Sequence, residues 1–215
     1  MTALATATST EVEKGSVVVV PIGSVEQHGP HLPLDTDTVI AEAVSAGVAE
    51  QLGGWRAPAV AYGSSGEHQG FAGTTSIGTP ALGQLVVELV RSLRRWAGPV
   101  VLVNGHGGNQ QALRAASAQL VREGHDVRVA LCAAPGMDAH AGRAETSLML
   151  HLRSDSVRLD LAEAGNTAPI SALMPHLRAG GVRAVSRNGV LGDPRGATAE
   201  EGARMLATMI NRATS

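Results

Sequence analysis

The 215-residue chain predicts an α/β fold with a mostly parallel sheet and helices on both faces. Three observations lead there. Short β-branched runs alternate with longer segments of helical periodicity, the order that parallel βαβ units produce. No repeat, low-complexity stretch or linker divides the chain, and its length suits one sizeable core. Clusters of His, Asp and Glu, most of them glycine-flanked, fall just after the apolar runs, where open α/β sheets bind their ligands.

The elements follow in order. "SVVVVPIG" (16–23) reads as a buried strand. The segment 38–52 sets Ile40, Ala43, Val44, Gly47 and Val48 at helical spacing and stops at Gly53-Gly54. "APAVAY" (57–62) is a second strand. The helix over 79–96 opens with Thr79 as cap and Pro80 at the first helical position, and carries a Leu82, Leu85, Val86, Leu89, Leu93 stripe. A third strand spans 99–105, a helix 109–124, a fourth strand 126–132 and a further helix 144–152. The stretch 153–197 reads as irregular, with one strand near 182–186. The last helix, 198–213, begins with Thr198 and Glu201 at capping-box spacing. Residues 1–15 read as a flexible tail and 16–215 as a single domain.

Bulk properties exclude several classes. A net charge of −2 offers no basic field for nucleic acid or an anionic membrane. No run approaches the roughly 18 apolar residues of a membrane span, and the N-terminus lacks a signal-peptide core. The single cysteine, Cys132, cannot form a disulfide within the chain, which suits the cytoplasm. Aromatics are 2%, so Ala, Val, Leu, Ile and Met must fill the core. Lys14 is the only lysine and no GxGxxG or P-loop is present, which weakens a nucleotide-phosphate reading.

The clusters carry the chemistry. "GSVEQHGPHLPLDTDT" (23–38) follows the first strand and holds Glu26, His28, His31, Asp35 and Asp37. Glu26 and His28 are two apart, so an extended chain turns both to one side. His31 and Asp35 read as loop polarity. "GSSGEHQGF" supplies Glu67 and His68, "NGHGGN" supplies His106, and "MDAHAGRAE" supplies His140 and Glu145. Taken singly, Glu26 reads equally as a turn residue, Glu145 as a first-turn residue suited to the helix dipole, and Glu67 and His68 as loop hydrogen-bonders. Convergence of four strand ends on one sheet edge changes the weighting. Such a set repels itself unless a cation is present. Imidazole and carboxylate without thiolate suit Zn²⁺, Mn²⁺ or Fe²⁺, and five ligands suit two bridged ions better than one.

The motifs "PIGSVEQHGPHLPLDTDT", "GEHQGFAGTTSIG", "NGHGGNQ" and "DAHAGRAETSLML", spanning residues 17–152, together resemble the creatininase (creatinine amidohydrolase) family. The resemblance implies a three-layer α/β/α sandwich, a homo-oligomer (a hexamer or larger) and an amide hydrolase with two divalent metal ions, Zn, Fe or Mn. It implies Glu26, His28, Asp37, His106 and Glu145 as metal ligands, with Asp37 bridging. It places His140 against the substrate, to stabilise the oxyanion or protonate the leaving nitrogen, with Glu67 and His68 as further catalytic candidates. Family members proper carry a glutamate where this chain has Gly108, and creatinine-cleaving members a tryptophan where it has Gly136. The first departure leaves that ligand to the helix of Glu145, and the second argues against creatinine as substrate. Within the family the whole chain, "RAVSRNGVLGDPRGATAEEG" included, most resembles a subgroup that cuts a modified precursor peptide near its C-terminus, releasing a small Val-Tyr-derived core. A small-molecule amidohydrolase acting on a formamide or cyclic amide, and a non-enzymatic metal-containing binding module, are the rival readings.

Overall fold

The computed structural model describes residues 3–215. Strands β1 (Val18–Ile22), β2 (Trp55–Arg56), β3 (Val100–Asn104) and β4 (Val127–Leu131) form one parallel sheet in the order β2-β1-β3-β4. The central strands β1 and β3 are buried at every position. That is why they read as unbroken apolar runs rather than alternating ones. Edge strand β4 exposes Arg128 and Leu131.

Helices α1 (Thr36–Gln51), α2 (Thr79–Leu93), α3 (Gln110–Arg122), α4 (Arg143–Arg153), α5 (Ile170–Gly180) and α6 (Ala199–Thr214) complete the fold. Alternation of side chains along the strands divides them between two layers. Val18, Val20, Ile22 and Leu102 face α2 and α3 through Leu82, Val86, Leu113 and Leu120. Val19, Val101 and Val103 face α1, α4 and α6 through Val44, Leu148 and Met209. The result is the expected three-layer α/β/α sandwich. Thr198 accepts a hydrogen bond from Glu201 N and so caps α6.

Several expectations shift. The second strand pairs only over Trp55–Arg56, with Val60 making an isolated bridge to Ile22. Pro58 between them has no N–H to give a ladder. In α2 the buried stripe is Leu82, Val86, Val90 and Leu93, while Leu85 is exposed. The strand expected near 182–186 is absent among the described residues; α5 and a 3-10 turn, Val182–Ala184, stand in that region. Pro175 inside α5 masks its periodicity, and Gly181, at φ 68°, ends it. Of the expected tail, residues 1 and 2 lie outside the described residues. Ala3 bridges Arg56 and Leu4 packs on the core.

The chain runs from β1 outward to β2, then crosses back to β3 on the other side of β1. Loops leaving β1 and β3 therefore diverge in opposite directions and open a crevice. A small satellite cluster of Leu173, Val182 and Leu191, with Phe71 and Leu177 against it, holds α5 beside that crevice. Among the described residues no helix is long and apolar enough to cross a membrane.

Candidate metal centre

Each reactive side chain is delivered by a loop fastened to its neighbour. After β1, Glu26 N donates to Leu34 O at 3.0 Å, folding the loop back on itself. Asp37 lies in the first turn of α1, where the helix dipole favours an anion, and accepts Ser24 Oγ–H at 2.6 Å. After β3, Asn104 Nδ2 donates to His106 O at 2.7 Å. Asn109 Nδ2 donates to Gly23 O at 3.0 Å, tying the β3 loop to the β1 loop. After β2, the 3-10 turn Gly66–His68 lifts Glu67 and His68 towards the same crevice. After β4, Ala141 adopts φ 51°, a conformation costing a non-glycine residue about 1 kcal/mol. The turn aims Ala141 N at Glu145 Oε2, 2.6 Å away, and brings His140 inward.

All eight candidate side chains meet. His28 Nε2 lies 3.3 Å from Asp37 Oδ1 and 3.8 Å from Glu145 Oε2. His106 spans two carboxylates, Nε2 lying 3.1 Å from Glu26 Oε2 and Nδ1 3.2 Å from Asp37 Oδ2. His68 Nε2 is 3.3 Å, and His140 Nδ1 3.5 Å, from Glu26 Oε1. Glu67 Oε1 is 3.5 Å from His106 Nε2. Three overlapping triads bring ligand atoms within 4.8 Å of one another: Glu26, His28 and Asp37; His28, His140 and Glu145; Glu26, His68 and His140. Both Glu67 and His68, though adjacent in sequence, reach the cluster. His31 stands apart and pairs with Thr146 Oγ1 at 2.8 Å.

Two observations fit a cation. Glu26 is 0% exposed, yet neither carboxylate oxygen has a hydrogen-bond partner despite the ring nitrogens around it. Leaving a buried carboxylate so costs several kcal/mol or more, roughly, unless a cation or proton satisfies it. Second, His28 Nδ1 lies 3.1 Å from the backbone carbonyl of Glu26, an acceptor, so Nδ1 carries a proton and Nε2 is the ring atom turned towards Asp37 and Glu145. Backbone carbonyls commonly orient metal-binding histidines in this way.

The electrostatics agree. Burial pushes Glu26 up to about 8 and Glu145 up to about 7. Burial opposes charge on His28, but Asp37, Glu145 and Glu26 outweigh it and raise the group to about 10. His106 rises well above its ordinary value, burial being overcome by Glu26, Asp37 and Glu67. Asp37 is held well below the carboxylate range, because His28 and His106 overcome its burial. The acids thus draw positive charge into the cluster, as protons or as metal. Burial and the charge of neighbouring histidines instead lower His68 to about 3 and hold His140 down. Burial also pushes the Cys132 thiol up, so it is no nucleophile.

Above the cluster lies a cavity of about 530 Å³. Its floor is Glu26, Asp37 and His106; its wall is Ile170, Met174 and Leu177 of α5. Arg178 lines both this cavity and an adjoining one of about 410 Å³. Sequence reasoning missed α5, although Ile170, Leu173, Met174 and Leu177 follow the i, i+3, i+4, i+7 pattern. It also left Gln27 without a role, though the residue stands between two ligand candidates.

Fold and site together define an α/β protein with a buried donor set, at the floor of a cavity, that suits divalent metal. The chain belongs to the creatininase family, since the family model described as creatinine amidohydrolase matches residues 4–215. The mycofactocin precursor peptide peptidase of Mycolicibacterium smegmatis (strain ATCC 700084 / mc(2)155) is 56% identical over 201 residues, covering 91% of this chain and 81% of that one. A type II creatininase with a Trp-to-Phe substitution superposes with TM-score 0.81 at 28% identity, covering 99% of this chain and 95% of that one. A Zn-Zn type creatininase with a Glu-to-Gln substitution gives TM-score 0.79 at 26% identity, with the same coverage of 99% and 95%.

Proposed function

We propose that the protein is a metal-dependent peptidase that cleaves the modified mycofactocin precursor peptide near its C-terminus, releasing the Val-Tyr-derived core. The carrying observation is the buried Glu26 carboxylate, ringed by imidazoles yet without a hydrogen bond, at the floor of a substrate-sized cavity. The names of its relatives support the substrate.

Glu26, His28, Asp37, His106 and Glu145 would hold two divalent ions, Zn, Fe or Mn, with Asp37 shared. Bound there, a divalent ion lowers the pKa of water to about 7 and polarises a carbonyl. The chain supplies the remainder. Apolar Ile170, Met174 and Leu177 seat the side chains flanking the scissile amide and exclude water. His140, His68 and Glu67 line the same cavity and handle protons, since neutral imidazoles can donate or accept. Assembly into a homo-oligomer and a cytoplasmic location belong to this reading.

Metal analysis of the purified protein, followed by mass spectrometry after incubation with the modified precursor peptide, tests the proposal. Two metals per chain and release of the C-terminal core are expected. An intact peptide beside turnover of a formamide or cyclic amide would overturn the peptidase reading.

A further inference from the structure

Gln27 lies between two ligand candidates but points at neither. Its side-chain amide is buried and pinned at both ends by backbone. Gly29 N donates to Oε1 at 2.9 Å, and Nε2 donates to Gly189 O at 3.1 Å. A flipped amide would set two donors against each other at one end and two acceptors at the other, so the orientation is determined. Gly189, at φ 83°, has no side chain, and a Cβ there would collide with the Gln27 amide.

That fixed amide touches two histidines. Nε2 lies 2.8 Å from His68 Nδ1 and 3.0 Å from His140 Nε2. An amide nitrogen only donates, so His68 Nδ1 must accept, and the His68 proton sits on Nε2. His140 Nε2 also lies 2.9 Å from the backbone carbonyl of Gln27, which only accepts. The His140 proton therefore sits on Nε2, and Nδ1 is bare. The two hydrogens of the amide go to Gly189 O and His68 Nδ1, and the His140 Nε2–H goes to Gln27 O.

We infer that Gln27 is a positioning residue that sets opposite roles for two histidines, His68 presenting an N–H and His140 a lone pair. Both presented atoms face Glu26 Oε1, at 3.3 Å and 3.5 Å, and both histidines line the cavity. This inference rests on the hydrolase reading and refines it. As the oxygen of water bonds to the amide carbon, one water proton passes to His140 Nδ1. His68 Nε2–H donates to the oxygen of the carbonyl as it gains charge. When the C–N bond breaks, the proton held by His140 goes to the leaving nitrogen. One water is consumed, and His140 returns to its starting form. The role expected of His140 is thereby divided, with oxyanion stabilisation passing to His68.

The test reads tautomers directly, without substrate. Zinc-loaded protein labelled with ¹⁵N-histidine is examined by long-range ¹H–¹⁵N correlation, with signals assigned by their loss in His68→Gln and His140→Gln. Wild-type His68 and His140 should each show the proton on Nε2. In Gln27→Glu the carboxylate accepts, and the His68 proton should move to Nδ1. Wild-type His68 protonated on Nδ1, or an unchanged pattern in Gln27→Glu, overturns the inference, whatever the substrate proves to be. In turnover, Gln27→Glu should retain zinc and lower kcat about 100-fold with KM within about threefold, as loss of one oxyanion donor does. The isosteric Gln27→Met, which leaves the His68 tautomer unfixed, should fall less far. Equal losses in the two variants, or zinc loss in Gln27→Glu, would make Gln27 a structural residue only.

Discussion

The floor and the wall of the cavity are built differently. The floor comes from loops at the ends of β1 and β3, strands buried throughout, and cross-tied by Asn104 and Asn109. Its ionisable groups are held by short contacts from several directions. The wall is one helix, α5, supported by the small cluster around Leu173, and it offers Ile170, Met174 and Leu177. A rigid floor suits chemistry that requires fixed distances. An apolar wall suits selection among substrates by shape. The contrast separates what makes this a hydrolase from what decides which amide it cuts.

The sharpest break of that contrast is at the floor. Asp37→Ala should lose both metals and lower activity about a thousandfold or more; two tightly bound metals in that variant would sink the bridging assignment. His140→Ala comes next: metals kept, turnover down by roughly 10²- to 10⁴-fold, the usual range for an acid–base group. Metal analysis of the variant separates this from ligand loss.

Protons sharpen the comparison further. Glu26, Glu145 and His28 have folded pKa values of about 8, 7 and 10, above their ordinary values. The folded state therefore holds more protons than the unfolded state, and their stabilisation is lost as pH rises. His68, lowered to about 3, and His140, also lowered, act oppositely, but only below about pH 6.5, where an unfolded histidine titrates. Chelator-treated protein should melt at progressively lower temperature from pH 6.5 to 10, and saturating zinc should abolish that fall. A Tm independent of pH would contradict it. The wall should respond least: Met174→Ala should raise KM about tenfold and leave kcat unchanged, as loss of uniform apolar binding does. An equal fall in kcat would move α5 into the chemistry.

The floor was legible from sequence and the wall was not. Buried parallel strands print continuous apolar runs, and the groups beyond them carry ionisable side chains that few other folds would place there. Glu26, His28, Asp37, Glu67, His68, His106, His140 and Glu145 could therefore be singled out as candidates before the geometry was known, while their division into ligands and catalytic groups came from the family resemblance. The α5 stripe was present but interrupted by Pro175 and bounded by glycines, which read as loop. Gln27 escaped for another reason. In a regular strand it would point away from Glu26 and His28, and only a loop that leaves strand geometry turns its amide towards histidines far along the chain.

Gly108 has one more consequence. A Cβ at this position would press on the Glu67 carboxylate and the His106 ring. The volume that a longer residue would claim from beneath is thus occupied by an acid arriving from a different loop, one that also touches α5 through Phe71 and its neighbours. With only hydrogen on this backbone atom, Glu67 Oε1 can stand 3.5 Å from His106 Nε2, so the acid at this corner comes from the loop whose Phe71 packs beside α5.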